Sequence, residues 1–208
     1  MKITSVKFKK SIVDINQYHN NDSIFPEYAF FGRSNVGKSS LINYIVNKNV
    51  ANVSSYLGST RYINFFLINN KWYLIDLPGY GYSSRRKIDV DNIKKLVDNY
   101  IFFRKKIVSL FLLIDSRLFI QKNDFDLIKK LNNKKINFCV VFTKIDKTSS
   151  LTVDKNIFCY INEIKKNKLS IPIWFKVSVK KKYGRKNIIR YMEEQLLVYK
   201  QKLIIPSS

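Results

Sequence analysis

Gly32-Arg33-Ser34-Asn35-Val36-Gly37-Lys38-Ser39 fits G-x-x-x-x-G-K-[ST], the phosphate-binding loop. The apolar run Tyr28-Ala29-Phe30-Phe31 before it reads as a buried strand, and Leu41, Ile42, Ile45 and Val46 after it repeat at helical spacing. The loop is therefore expected between a strand and a helix, the context that gives the pattern its chemistry. Gly32 and Gly37 let the backbone turn with its N–H groups inward, a nest for anionic oxygens. Lys38 adds a point charge for the outer phosphates, and the Ser39 hydroxyl can ligate Mg²⁺. The helix that starts here turns its positive dipole end toward the same place.

Outward from the loop, Asn47 to Gly58 is polar and weakly patterned and reads as a loop ending in Gly58-Ser59-Thr60-Arg61. Tyr62 to Ile68 reads as a strand, Asn69-Asn70-Lys71 as a tight turn, and Trp72 to Ile75 as a second strand. Strands joined so briefly must be antiparallel. The second runs into Asp76-Leu77-Pro78-Gly79, a D-x-x-G at a strand end. Asp76 can hold Mg²⁺ through water, and the Gly79 N–H can meet a γ-phosphate and sense its presence. An ordinary strand-to-loop turn also favours Asp, Pro and Gly, so this motif needs its neighbours.

Amphipathic helix patterns and apolar strand-length runs then alternate to the end of the chain, the runs being Val108–Ile114, Phe138–Phe142 and Ile171–Phe175. Thr143-Lys144-Ile145-Asp146 follows the second of these runs and fits [NT]-K-x-D. A carboxylate there can accept from guanine N1–H and its 2-amino group, and adenine offers neither. Such a site rejects the wrong base by roughly 10⁴ or more, because the acid would be left unpaired. Lys144 is expected to lie over the base and brace the phosphate loop. Val177-Ser178-Val179 follows the last strand, where backbone groups can meet the base oxygen. Thr60 precedes the antiparallel strand, where a second Mg²⁺ hydroxyl ligand belongs in a switch GTPase.

Together these readings predict an α/β domain with a mostly parallel sheet, one antiparallel strand and helices on both faces, with every motif at a strand's carboxyl end. The expected nucleotide contacts are Gly32 through Ser39, Gly58 through Tyr62, Asp76 through Gly79, Thr143 through Asp146, and Val177 through Val179. Ser39, Thr60 and Asp76 are the expected Mg²⁺ ligands, with Lys38 and Gly79 at the chemistry. Residues 26–202 are expected to form the single domain, 1–25 an N-terminal extension that is one short strand or a packed segment, and 203–208 a short tail.

Composition bounds the partners. The 208 residues are 46% hydrophobic, which is globular, and no apolar run approaches a membrane span or a signal-peptide core. Cys139 and Cys159 lie within apolar-periodic segments and read as buried free thiols of a reducing compartment. His19 has no Cys or His neighbours to share a metal. The net charge of +23 points to a polyanion, most simply RNA, although a chain this rich in Lys, Asn, Ile, Phe and Tyr also reflects AT-rich coding. The C-terminus has no cysteine for prenylation, which disfavours a membrane-trafficking GTPase.

The residues also resemble one family closely, the bacterial ribosome-assembly GTPases called EngB, also written YihA or YsxC. The resemblance is carried by Gly32 to Asn43, Ile63-Asn64-Phe65-Phe66, Asp76-Leu77-Pro78-Gly79-Tyr80-Gly81-Tyr82, Ile114-Asp115-Ser116-Arg117 and Thr143-Lys144-Ile145-Asp146-Lys147. It implies a cytoplasmic, single-domain GTPase, expected as a monomer, that binds GTP and GDP and acts on ribosomal RNA in a large-subunit precursor. A GTP-gated RNA-binding module with negligible hydrolysis is the alternative. The family's first switch looks like Lys-Thr-Pro-Gly-Arg-Thr-Gln, where this chain has Ser55-Tyr56-Leu57-Gly58-Ser59-Thr60-Arg61. In Ras-like GTPases a Gln after D-x-x-G orients the attacking water. Here Tyr80 stands in that place, so slow intrinsic turnover is expected. Related GTPases with an aromatic residue there hold K⁺ against the phosphates through an Asn at the position of Asn35, which makes K⁺ a second candidate cofactor.

Overall fold

Asn69 and Asn70 both adopt left-handed backbone angles, φ 52° and 52°, in the three-residue turn Asn69-Asn70-Lys71, where the Lys71 N–H returns to the Ile68 carbonyl at 2.9 Å. They join β3 (Ile63–Ile68) to β4 (Trp72–Asp76), antiparallel in the register Ile68 to Trp72. The Asn69 carboxamide oxygen also accepts the N–H groups of Thr4 and Ser5, and this ties the N-terminal segment to the turn. That segment continues as β1 (Val6–Ile12), which pairs antiparallel with β3, so the stretch the sequence left open between a strand and a packed extension is a strand of the main sheet. The computed structural model describes residues 2–14, 25–51, 62–81 and 87–204.

The remaining elements are β2 (Glu27–Gly32), α1 (Lys38–Val46), α2 (Lys87–Phe103), β5 (Ile107–Asp115), α3 (Lys122–Asn133), β6 (Phe138–Thr143), α4 (Ser150–Lys166), β7 (Ile173–Lys176) and α5 (Arg185–Ile204). Seven strands order as β1-β3-β4-β2-β5-β6-β7. β2 is parallel to β4 and β5, and β6 is parallel to β5 and β7. Only β3 opposes both its neighbours, so β1 points with the parallel set. The sheet is mostly parallel with one antiparallel strand, as expected. β7 begins at Ile173, two residues later than the apolar run suggested, because Pro172 has no N–H to give a ladder.

Both faces of the sheet are covered. Tyr100 and Ile101 of α2, Ile128 and Leu131 of α3, and Ile157 and Ile164 of α4 pack one face. Leu41 and Ile45 of α1 with Ile188 and Met192 of α5 pack the other. β5 is buried from Val108 to Asp115, which is why it reads as a continuous apolar run rather than an alternating one. The carboxyl ends of β2, β4, β5, β6 and β7 consequently open on one side of the sheet, and the loops that follow them carry the motifs.

Candidate functional site

β2 ends at Gly32 because a side chain there would collide with β5: a Cβ would stand 2.7 Å from the Leu113 carbonyl oxygen. The chain then turns through Asn35 and Gly37, at φ 59° and 98°, and α1 begins at Lys38. The Lys38 ammonium is buried and bonded to Asp76 Oδ1 at the end of β4, and that carboxylate is only 2% exposed. Loop lysine and strand-end aspartate thus neutralise each other inside the protein, with Ser39 beside them in the first turn of the helix.

The D-x-x-G segment is laced to the phosphate loop. The Tyr80 N–H donates to the Gly32 carbonyl at 3.2 Å, and the Ser34 N–H donates to the Tyr80 carbonyl at 2.9 Å. Gly79 lies so close that a Cβ would be 3.1 Å from the Gly32 carbonyl oxygen and 3.2 Å from the Ser34 nitrogen. Leu77 and Pro78 are buried beneath this junction. The Tyr80 phenol is directed elsewhere: its hydroxyl donates to Asp124 Oδ1 of α3 at 2.8 Å, and its ring packs on Phe31 at 5.0 Å. Tyr160 donates to the other oxygen of Asp124 at 3.0 Å. Burial pushes the Asp124 carboxyl up, and the two phenols act against that.

The third motif meets the loop from the opposite side. Thr143 donates through Oγ1 to the Val36 carbonyl at 2.6 Å. Lys144, in the left-handed region at φ 58°, reaches back so that its ammonium bonds the Asn35 carbonyl and, at 2.9 Å, Asp115 Oδ2. Arg117 forks onto the same carboxylate at 2.9 and 2.7 Å. Burial works to raise the Asp115 carboxyl, but the hydrogen bonds from Arg117 and Lys144 outweigh it and hold the group below the usual carboxylate range. Asp146 follows Ile145 in a single turn of 3-10 helix and accepts from Ser178 Oγ at 2.6 Å. That bond lowers the Asp146 pKa and aims the carboxylate. The Ser178 N–H is spent on the Tyr183 carbonyl at 3.2 Å, while Val177 is held in the ladder through the Phe142 carbonyl.

Several positioning residues carried no role in the sequence reading. Asp115 is the hub that steers Lys144; the sequence marked it only as part of the family-like Ile114-Asp115-Ser116-Arg117 and gave it no role. Asn43 accepts from the Val50 and Ala51 N–H groups at 2.9 and 2.8 Å and so fixes the chain leaving α1. Arg185 donates to the Tyr44 and Ile45 carbonyls and closes the far end of the same helix. Gly58, Ser59, Thr60 and Arg61 lie outside the described residues, as do Arg85, Arg86 and His19. Tyr62 is exposed, just before β3. Cys139 is buried and Cys159 half-buried, both as free thiols. No helix among the described residues is long and apolar enough to cross a membrane.

A buried carboxylate and a helix-start hydroxyl, both hard oxygen donors, suit Mg²⁺, which takes one or two protein carboxylates and completes its shell with phosphate and water. Asp76 and Ser39 fit that requirement.

Comparison with known proteins agrees with this geometry. A family model described as 50S ribosome-binding GTPase matches residues 27–144. A probable GTP-binding protein EngB of Bacteroides thetaiotaomicron is 43% identical over 204 residues, which is 97% of this chain and all of that protein. Its counterpart from Bacteroides fragilis is 42% identical over 194 residues, covering 93% and 96% of the two chains. Among solved structures, a probable GTP-binding protein engB superposes with a TM-score of 0.62 at 24% identity, over 85% of this chain and 99% of that one. Era in complex with MgGDPNP and a segment of 16S ribosomal RNA superposes with a TM-score of 0.60 at 22% identity, over 84% and 56%. At those identities the two structures show the fold.

Proposed function

The chain belongs to the EngB family of GTP-binding proteins, and from that premise we propose that this GTPase is a switch that docks on a precursor of the large ribosomal subunit and assists its assembly. The observation that carries the reading is the lacing of Gly79 and Tyr80 to Gly32 and Ser34. Whatever phosphate the loop holds is felt directly at the segment that leads into α2. The matched family's description as ribosome-binding and the charge of +23 support a ribosomal partner.

In this mechanism the N–H groups from Gly32 to Ser39 cradle the phosphates, and Lys38 shifts from Asp76 toward their oxygens. Ser39, with Asp76 through water and Thr60 from the first switch, would hold Mg²⁺, which would supply positive charge against the outer phosphates. Gly79 offers its N–H to the γ-phosphate, and Gly58 to Tyr62 are the nucleotide contacts of the first switch. Thr143 and Lys144 hold the phosphate loop and the base in one frame, and Asp146 pairs with guanine. The Val179 N–H, next to the engaged Ser178, meets the base oxygen. With the Tyr80 phenol tied to Asp124, the residue in the place of the water-orienting Gln does not orient the water, and turnover without a partner is on the order of 10⁻³ s⁻¹ or slower, by analogy with unassisted Ras. Asn35 is the candidate holder of a K⁺ that would supply the missing positive charge.

The test is co-sedimentation with large ribosomal particles, GTP analogue against GDP, together with phosphate release with and without the particles in K⁺ and in Na⁺. Retention with the analogue and faster release on the particle support the switch. Retention that ignores the nucleotide, with no release above background, leaves the GTP-gated RNA-binding alternative without its gate and sinks the switch as well.

A further inference from the structure

The positive charge is concentrated in one part of the fold. Residues 147–186, from the end of the guanine-side motif through α4 and β7 to the start of α5, carry eleven lysines and arginines against two acids, Asp154 and Glu163. That makes +9 of the total +23 in 40 residues. Among the described residues, Lys176 is the one cation of this stretch in an ion pair, with Asp154 of α4. Lys165, Lys166 and Lys168 are exposed at the end of α4, just before β7, and Lys180, Lys181 and Lys182 are exposed just after it.

Between the two lysine triads lies the end of the sheet. β7 pairs with β6 on one side and is the last strand in the order, so its other side presents unpaired backbone groups. Ile173 is 54% exposed and Trp174 is 39% exposed, although both stand in a strand. The Trp174 ring is not loose: it meets Phe142 edge-on at 6.2 Å, which fixes the indole. Phe158, 64% exposed, lies one helical turn beyond Asp154, whose carboxylate pairs with Lys176 of β7. Lysines beside an edge strand also discourage edge-to-edge aggregation. A held, half-exposed indole works against that purpose. The combination of cations along a backbone track with a rigid aromatic platform is what grips unpaired nucleic acid. A second copy of the chain is disfavoured on this surface, since two faces this positive repel.

We propose that the β7 edge, from the lysines ending α4 to those after Val179, is the surface that binds an unpaired stretch of RNA, with a base stacked on Trp174. The proposal rests on the ribosomal reading above and says which face of the molecule does the gripping. Because the same stretch begins directly after Asp146 and contains Ser178, the surface abuts the guanine corner.

The experiment titrates the full chain with an oligouridine RNA over a range of salt. Two triple variants of equal charge change are compared: Lys165→Glu/Lys166→Glu/Lys168→Glu at the edge, and Lys122→Glu/Lys129→Glu/Lys134→Glu on α3. Single-strand binding loses about 0.7 in the log–log salt slope per phosphate contact removed, so the edge variant should flatten the slope by about 2 and the α3 control by much less. The fluorescence of Trp174 should be quenched by RNA and the quench lost in Trp174→Phe, since the other tryptophan, Trp72, is 2% exposed and reports only folding. Equal slopes in the two triple variants, or a quench that survives Trp174→Phe, overturn the edge assignment while leaving RNA docking intact. If the wild type binds neither oligouridine nor ribosomal particles, the ribosomal reading fails and this one with it. Salt-sensitive self-association without RNA binding would assign the edge to a second copy instead, and so overturn it.

Discussion

One buried ion pair holds the amino end of β2 and another, between α1 and β4, lies beyond its carboxyl end, and the two differ in how completely the protein satisfies them. At the amino end, Glu27 is fully buried and accepts from the Tyr100 hydroxyl at 2.6 Å, from Arg104 Nε at 3.0 Å and, on its other oxygen, from a second Arg104 nitrogen at 2.5 Å. Tyr100 stands in the last turn of α2, and Arg104 follows immediately after it. Beyond the carboxyl end, Asp76 meets Lys38, and farther along the same rim Asp146 meets Ser178. Taking a charge from water costs several kcal/mol in either place. At the amino end the cost is offset by a closed set of charge-assisted bonds that leaves the chain nothing more to bind. At the carboxyl end Asp76 and Asp146 each keep a single exchangeable partner, Lys38 at the start of α1 and Ser178 after β7. A closed pair fixes α2 to the sheet, and an open one leaves the protein able to trade a partner for a ligand.

The largest test of the contrast is at the open end. Asp146→Asn should keep the fold, because Asp146 is on the rim and the Asn carbonyl oxygen can still accept from Ser178. Its amide can no longer take both guanine donors, so GTP should lose on the order of 10⁴ in preference relative to xanthosine triphosphate. Competition binding with the two nucleotides measures this. A variant that still prefers GTP would mean that the base is recognised elsewhere.

At the closed end the expected loss is in stability. Arg104→Met strands Glu27 and should cost about 3–5 kcal/mol in denaturant unfolding, whereas Glu27→Gln/Arg104→Met should recover most of it. GTP affinity of the folded protein should not change. Burial pushes the Glu27 carboxyl up to about 7 even with the Tyr100 hydroxyl and nearby lysines favouring its charge, and the same burial pulls Arg104 down to about 10. Without the arginine fork the carboxyl rises further. A folded pKa above the unfolded value means that the folded state holds the extra proton in the window between them. Stability of the single variant should therefore rise as pH falls from about 8 to 5, and the penalty should be greatest at the alkaline end. A penalty independent of pH would mean that Glu27 is not the stranded group.

The two ends were not equally legible. The carboxyl-end motifs stand in the sequence because phosphate and guanine chemistry fix residue types at short spacing, as in Gly37-Lys38-Ser39 and Thr143-Lys144-Ile145-Asp146. Glu27 lies 73 and 77 positions from Tyr100 and Arg104, and nothing local marks them as partners. Asp124 was hidden the same way, since its partners Tyr80 and Tyr160 come from distant elements. β1 was ambiguous because an edge strand exposed on one face, with Lys7 and Lys9 outward, lacks the apolar run that betrays β5. Helix ends were blurred for a different reason. The chain has 6 glycines, and left-handed positions that glycine commonly takes are filled by Asn47, Lys135 and Lys168.

Those left-handed lysines give the smallest and most discriminating test. Lys135 ends α3 at φ 53°, with its N–H on the Asn132 carbonyl at 2.9 Å and the Ile136 N–H on the Leu131 carbonyl at 3.0 Å. This is a Schellman cap, in which the residue at Lys135's place is usually glycine. A left-handed conformation costs an ordinary residue roughly 1–2 kcal/mol, and the looser unfolded chain of a glycine variant returns about 0.4–1 of that. Lys135→Gly should therefore stabilise the protein by about 0.5–1 kcal/mol, a rise of about 1–4 °C in Tm. Lys144 has the same backbone geometry at φ 58°, so Lys144→Gly gains the same relief. It also removes the ammonium from the Asn35 carbonyl and from Asp115, which is buried and then loses a charge partner. The exchange at Lys144 should come out destabilising and should weaken GTP binding, while Lys135→Gly leaves binding alone. Thermal unfolding and GTP titration of the two variants side by side decide it. Equal gains in stability from both would show that Lys144 contributes no more to the site than Lys135 does to its cap.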